Sequence, residues 1–405
     1  MGLLYKDELL DAFGAWAFAY IPYGGPDFGE IAAVAKAVGD GGADAFHECW
    51  VAAGDRAAAQ AEAARNAGRT TSARELFLRG SAFYAVSLHP LFGAPVDPRL
   101  TAAFRKEIAA FDNGLALFDP PIKPQAIPFE GGAMPAYFIP AAGFAGARRP
   151  TVIFTNGYDS TIADMYFASA VAAGRRGYHS LLFDGPGQGA MLFERNIPLR
   201  PDWETVVKAA VDFALTLPEV DADKIALSGW SLGGYLSPRA ASGEHRLAAC
   251  VADCAQWALL DSFRAAAVKM GLPPAAAADL GAIDETAARL FDAVIKANRE
   301  LNWKVVKRGF WANGVTSLRD YLREAERFTM KGRAGDIRCP TLLMAAENDP
   351  LAIGAETLFD ALKCPKKLIR FTAAEGAGDH CEMMNRSLVN RTVLDWLDET
   401  LKTRS

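Results

Sequence analysis

Apolar and polar positions follow two rhythms along this chain, and the change between them falls near residue 122. In the first third, apolar residues recur at helical spacing. "DAFHECWVAAGDRAAAQAEAARNAG" carries such a face and ends at Gly68, and "TTSARELFLRGSAFYAVSLHP" opens on capping residues and stops before Pro90. Together they predict a helical hairpin. A third helix, "VDPRLTAAFRKEIAAFDNG", starts near Pro98 and ends near Gly114. Prolines in and around "FDPPIKPQ" then make a linker-like joint, and "QAIPFEGGAMPAYFIPA" reads as a hairpin of two short strands.

From residue 150 short apolar runs alternate with amphipathic stretches. "TVIFTN", "HSLLFDGPGQG", "KIALSGWS", "AACVADCA", "CPTLLMAAEND" and "KKLIRFTAAEGAGDH" predict strands. "STIADMYFASAVAAGRRG", "DWETVVKAAVDFALTLP", "LGGYLSPRAAS" and "RSLVNRTVLDWLDETL" predict helices. Such alternation places the chain in the α/β class, with a mostly parallel sheet and helices on both faces. Between Gln256 and Arg338 the alternation stops, and the segment is helical and aromatic, with Trp257, Phe263, Trp303, Phe310, Trp311 and Tyr321. It reads as a cap over the carboxyl edge of the sheet, where ligands bind in open α/β folds. The expected organisation is a helical N-terminal domain over 1–122, an α/β core over 123–255 and 337–405, and a cap insertion over 256–336.

Composition narrows this picture. The 405 residues are many for one core, and 51% apolar with 22% charged residues suits a soluble globular protein. A net charge of -5 gives no reason to expect nucleic acid or an anionic membrane as partner. "MGLLYKDELLDAFGAWAFAY" lacks the basic start and unbroken apolar stretch of a secretory signal, and "MGLLYK" lacks the serine or threonine of a myristoylation signal. No run approaches the roughly 20 apolar residues of a membrane span, so a cytoplasmic protein with reduced thiols is the expectation. Of the six cysteines only Cys250 and Cys254 are close, at a spacing unlike a zinc knuckle, and they read as small core residues. No cluster of His, Cys and carboxylates has metal spacing, and no cofactor is expected.

The chemistry centres on "IALSGWSLGGY", residues 225–235. A strand, then Gly229-x-Ser231-x-Gly233, then a helix is the arrangement of a nucleophile elbow. The serine sits on a strained turn and needs small neighbours. Its hydroxyl stands at a helix amino end, where dipole and free amides favour developing negative charge. Of five histidines, His47 and His89 lie in the helical third, His179 begins a strand, and His245 follows a helix on the far side. His380 alone follows a late strand, in the order Ser…Asp…His. "LLMAAENDP" supplies the acid: Asp349 just past the strand, with Glu347 as runner-up. Asp349 also suits a turn before Pro350. The oxyanion donors expected are the amides of Leu232 and of Tyr158, where Gly157 lets the chain turn. Asp159, Trp230 and Trp257 are candidate contacts for a small-molecule substrate. "DGPGQG", residues 184–189, has neither the Lys-Ser/Thr of a phosphate loop nor dinucleotide-site spacing, and reads as a tight loop bordering the site.

"NGYDS", "FDGPGQG", "GWSLGGY" and "GDHCE", in that order, together with the helical "WVAAGDRAAAQAEAARNAGRTTSARELFLRGSAFY", resemble the α/β hydrolases that carry a helical N-terminal domain. That group includes 2,6-dihydroxypseudooxynicotine hydrolase, a C–C bond hydrolase of nicotine breakdown, and fungal hydrolases that shorten a heptaketide in pigment pathways. The resemblance implies Ser231, Asp349 and His380 as triad, substrate held between the N-terminal helices and the core, and commonly a homodimer. It also implies an acidic residue after the strand at 249–255, for which Asp261 is the candidate. The segment from that strand to the acid looks longer than in the nicotine enzyme, which points to a different substrate. The leading function is cleavage of a C–C bond beside a ketone by a retro-Claisen route. A carboxylesterase or lactonase acting on bulky aryl esters needs the same triad. A non-catalytic binding module has no need to keep Ser231, Asp349 and His380 together, although fold alone does not establish catalysis.

Overall fold

The computed structural model describes residues 2–269 and 272–403. The N-terminal third is five helices: α1 (Glu8–Tyr20), α2 (Phe28–Val38), α3 (Ala43–Asn66), α4 (Thr70–Ser87) and α5 (Pro98–Leu115). The last three are the predicted ones. α1 and α2 precede them and are additional. Asp7 caps α1 by accepting from the amides of Leu9 and Leu10, and Asp27 with Glu30 forms a capping box on α2. The α3–α4 hairpin is close because its contact residues are small. A β-carbon on Gly54 would lie 2.5 Å from the Tyr84 ring.

The sheet has eight strands in the order β1-β2-β4-β3-β5-β6-β7-β8. They are β1 (Pro124–Phe129), β2 (Gly132–Ile139), β3 (Arg149–Thr155), β4 (His179–Phe183), β5 (Val220–Trp230), β6 (Ala249–Asp253), β7 (Thr341–Ala346) and β8 (Lys366–Phe371). β1 pairs antiparallel with β2, and β2 with β4; every other pairing is parallel. β3 to β7 consist of buried or half-buried residues apart from the start of β5, as parallel strands covered on both faces require. β5 begins before the predicted Lys224. Val220 is buried and pairs with Arg149, and a register shift before Ile225 takes up the polar residues between.

Two apolar clusters flank the sheet. One runs from Leu10, Phe13 and Trp50 of the N-terminal helices through Leu227 and Leu343 to Trp303 and Tyr321 of the insertion. The N-terminal helices, the sheet and the insertion therefore share one core. The other lies on the opposite face and includes Phe154, Trp230, Met344 and Leu397 of the C-terminal helix Arg386–Leu401. The insertion enters and leaves through a neck: Leu259 N–H donates to Phe328 O and Met330 N–H to Trp257 O. Among the described residues no helix is long and apolar enough to cross a membrane.

Candidate active site

Ser231 follows directly on β5 and precedes the helix Gly233–Ala241. Its φ is +58°, the left-handed region that a side chain adopts at a cost. The neighbours make that turn possible. A β-carbon on Gly229 would lie 2.3 Å from Gly233 O, and one on Gly233 would lie 2.7 Å from Thr155 O. Gly234 is needed too, because a β-carbon there would collide with Cys254 O. The small residues expected around Ser231 are thus enforced by backbone on three sides.

The fold brings Ser231, His380 and Asp349 into one hydrogen-bonded line. His380 Nε2 is 3.0 Å from Ser231 Oγ, and His380 Nδ1 is 2.7 Å from Asp349 Oδ2. Ser231 is 8% exposed, the Asp349 side chain is fully buried, and the His380 side chain keeps 34% of its surface. Burial alone would raise the Asp349 carboxyl, but the adjacent His380 imidazole outweighs it and holds the group at about 2. His380 is raised above the usual histidine range: burial works against the charge, and Cys381 and Asp349 overcome it. Asp349 also accepts from Leu351 N–H and caps the following turn, so the turn-forming and histidine-facing readings hold together. Glu347, the runner-up, is exposed and accepts from Ala373 N–H.

Gly157 lies against Ser231. A β-carbon on it would be 2.8 Å from the Leu232 amide nitrogen and 3.0 Å from Ser231 Oγ. The absent side chain leaves room for a small group at that point. Among the described residues neither the Leu232 nor the Tyr158 amide donates to a protein acceptor. "DGPGQG" braces this corner: Gln188 Nε2 donates to Asn156 O at 2.6 Å and to Gly157 O at 3.3 Å.

The other expected contacts are placed less directly. Trp230 is 3% exposed; its Nε1–H donates to Asn156 Oδ1 and its ring faces Trp16 of α1 at 5.8 Å. Asp159 pairs with Arg308 at 2.7 Å, and Arg308 also lies over the Tyr158 and Trp303 rings. Trp257 sits in the neck of the insertion, half-buried against Gly354. Asp261 accepts from Ala258 N–H and pairs with Arg264 at 3.0 Å, so its carboxylate is engaged locally and makes no hydrogen bond to Ser231, His380 or Asp349. The aromatics of the insertion pack on α1 and its surroundings, with Phe13 to Trp303 at 4.7 Å and Phe92 to Trp311 at 5.5 Å. They form the packed roof of the site more than an open wall.

Several residues at the site carry no local sequence signal. Gln256 Nε2 donates to Ser231 O at 2.6 Å. Arg386 donates to Cys381 O and to Asp253 Oδ2, both at 2.9 Å, and lies over the Trp230 ring. Cys250 and Cys254 are fully buried, as the core reading expects. Linear spacing shows no metal-like cluster. The fold nevertheless gathers Cys254, Asp349, His380 and Cys381 so that one ligand atom from each lies within 4.8 Å of the others. The reason is topological: the end of β6 passes under Ser231, and Cys381 follows His380 in the facing loop.

A family model described as "Alpha/beta hydrolase family" matches residues 152–391. Curated relatives include "20-hydroxy-prefusarin hydrolase FUS2" of Gibberella moniliformis, 32% identical over 94% of this chain and 93% of its own length. "Hydrolase LUC6" of a Fusarium species is 31% identical over 95% and 94%. Among solved structures, 2,6-dihydroxy-pseudo-oxynicotine hydrolase superposes with a TM-score of 0.73, at 20% identity and over 95% of each chain.

Proposed function

The chain belongs to the alpha/beta hydrolase family, and from that premise we propose that it is a serine hydrolase cleaving a C–C bond beside a ketone in a bulky aromatic or polyketide-like small molecule. The observation that carries the reading is the unbroken line Asp349–His380–Ser231, with contacts of 2.7 and 3.0 Å. In this reading Ser231 Oγ attacks the ketone carbon while His380 Nε2 takes its proton. Asp349 keeps the Nδ1–H tautomer and stabilises the imidazolium. The alkoxide is received by the Leu232 and Tyr158 amides in the space that Gly157 leaves open. Collapse breaks the C–C bond, its electron pair leaves as an enolate, and His380 returns the proton to that carbon. Water, deprotonated by His380, then releases the acyl group from Ser231 as a carboxylic acid.

A bulky substrate in this reading rests on the relative named for 20-hydroxy-prefusarin, since Phe13 and Trp303 are buried against each other. Each methylene missing from such a ligand forfeits about 0.8 kcal/mol of burial, or about fourfold in kcat/KM. The test is a panel of aryl β-diketones of increasing size beside p-nitrophenyl esters, with 20-hydroxy-prefusarin included because a relative bears its name. The reading requires a carboxylic acid and a ketone in equal amounts from the diketones, lost in Ser231→Ala, and kcat/KM rising with aryl size. Turnover of esters alone would replace it with a carboxylesterase.

A further inference from the structure

We propose that Cys381 is a positioning residue for the Ser231–His380 pair: its sulfur fixes the Ser231 amide and, from the face of the His380 ring, supports the positive charge that the ring gains on taking the Ser231 proton. The first half is argued from this chain's geometry alone, whereas the second rests on His380 being the base of the reaction proposed above.

Both nitrogens of His380 are taken in the plane of the ring. Nε2 is 3.0 Å from Ser231 Oγ and Nδ1 is 2.7 Å from Asp349 Oδ2. Cys381 Sγ lies 3.5 Å from Nε2 and 3.7 Å from Nδ1. A sulfur so nearly equidistant from the two nitrogens sits over the ring and on neither lone pair, so the gathered cysteines, His380 and Asp349 do not fit a metal ion. An imidazolium spreads its charge over both nitrogens. An electron-rich atom above the ring stabilises that charge without displacing either partner in the plane.

The same sulfur accepts from Ser231 N–H at 3.0 Å. Ser231 O accepts from Gln256 Nε2 at 2.6 Å, so the left-handed residue of the elbow is held at both its amide and its carbonyl. The charged and titratable groups packed around the pair leave the ring face to Cys381. Asp349 is engaged at Nδ1. Asp253, at the end of β6, pairs with Arg386 at 2.9 Å. Burial and the Asp253 carboxylate keep Glu382 uncharged at neutral pH. Asp379 accepts from Met384 N–H. Burial keeps Cys254 a protonated thiol. Burial also pushes the Cys381 thiol up, but Cys254 and His380 beside it bring the group below its ordinary value, so Cys381 is the more anionic of the two sulfurs.

The experiment uses the full chain under a phosphine reductant. The five histidine rings are followed by nuclear magnetic resonance across pH, and His380 is assigned as the signal missing from His380→Ala. Its pKa should fall by about one unit or more in Cys381→Ala, the shift expected when a negative group at contact distance is removed. Fluorophosphonate labelling of Ser231 is timed at a pH where the ring is neutral in each chain, and should be about tenfold slower in Cys381→Ala. Cys381→Ser keeps an acceptor for Ser231 N–H but presents a neutral hydroxyl to the ring. It should show the same fall in pKa and recover part of the labelling rate. A His380 pKa unmoved in both variants overturns the role at the ring. Labelling as fast in Cys381→Ala as in the wild type overturns the role at the Ser231 amide. Should both variants fail to fold, the wild type decides: a His380 pKa at or below the ordinary value of about 6.5 rejects the proposal. A pKa that falls as expected while His380→Ala labels at the wild-type rate would uphold the contact and count against His380 as base. Slow labelling in His380→Ala with an unmoved pKa would do the reverse.

Discussion

At one end of the 3.0 Å contact between Ser231 and His380 stands a turn made by its own neighbours; at the other stands a loop held from across the molecule. Both are in left-handed backbone, with φ of +58° at Ser231, +54° at Cys381 and +48° at Glu382. At Ser231 the turn is accommodated by glycines within three residues. The His380 loop has no glycine at its two strained positions. It is held by Arg386, which ties Cys381 O to Asp253 at the end of β6. Two non-glycine residues in this region cost on the order of 1–3 kcal/mol each, so the loop keeps its shape only while those distant contacts persist. The elbow is thus a local construction, and His380 is positioned by tertiary structure.

The largest effect is expected where the two ends meet. Asp349→Asn should keep the fold and lower kcat by about 10⁴, because the imidazole loses its orienting partner. Glu347→Gln should leave kcat unchanged, and the opposite ranking would move the acid to Glu347. The same pair of enzymes gives a pH test. His380 must be neutral to accept the Ser231 proton, and its neighbours hold it above the usual range, so labelling should climb with pH along a limb above about 6.5. Removing the Asp349 charge favours neutral imidazole and should move that limb to lower pH.

The remote construction is broken by Arg386→Met. This leaves Asp253 buried without its cation and should cost about 3–5 kcal/mol in denaturant unfolding, with loss of turnover as the His380 loop relaxes. Unchanged stability would show that the loop holds itself. The room beside Ser231 is probed by Gly157→Ala, in the loop after β3. Its methyl group would fall 2.7 Å from Ser231 Cβ and 2.8 Å from Leu232 N, so kcat should drop by about 10²–10³ and stability by about 1–3 kcal/mol as the elbow shifts to admit it.

The smallest effect is expected at Glu382. Burial, and then the Asp253 carboxylate, push its carboxyl up to about 12, so it is uncharged at neutral pH. Glu382→Gln should therefore cost less than about 1 kcal/mol by the same unfolding measurement. A loss as large as that of Arg386→Met would mean that Glu382 works as an anion.

This contrast also decides what could be read from the sequence. Ser231 was legible because strand, glycines and helix lie within a few residues of one another. His380 and Asp349 were legible from chain order, since each follows a late strand whose apolar run is distinct. α1 and α2 were not recognised: the buried Leu10, Phe13, Gly14, Ala17 and Tyr20 do recur at helical spacing along α1, but Ala12, Ala15, Trp16 and Phe18 between them are apolar too and blur the face. Arg386 with Asp253, Arg308 with Asp159, and Cys254 with Cys381 were beyond reach for another reason. Their partners are more than a hundred residues apart, and only the order of β5, β6 and β7 brings the strand ends together.

The central claim is that Ser231, activated by His380, is the nucleophile, and mapping a fluorophosphonate adduct by mass spectrometry tests it most directly. The account predicts one adduct per chain, on Ser231, absent from Ser231→Ala together with turnover and formed far more slowly in His380→Ala. An adduct on another serine, or full turnover in Ser231→Ala, would contradict it.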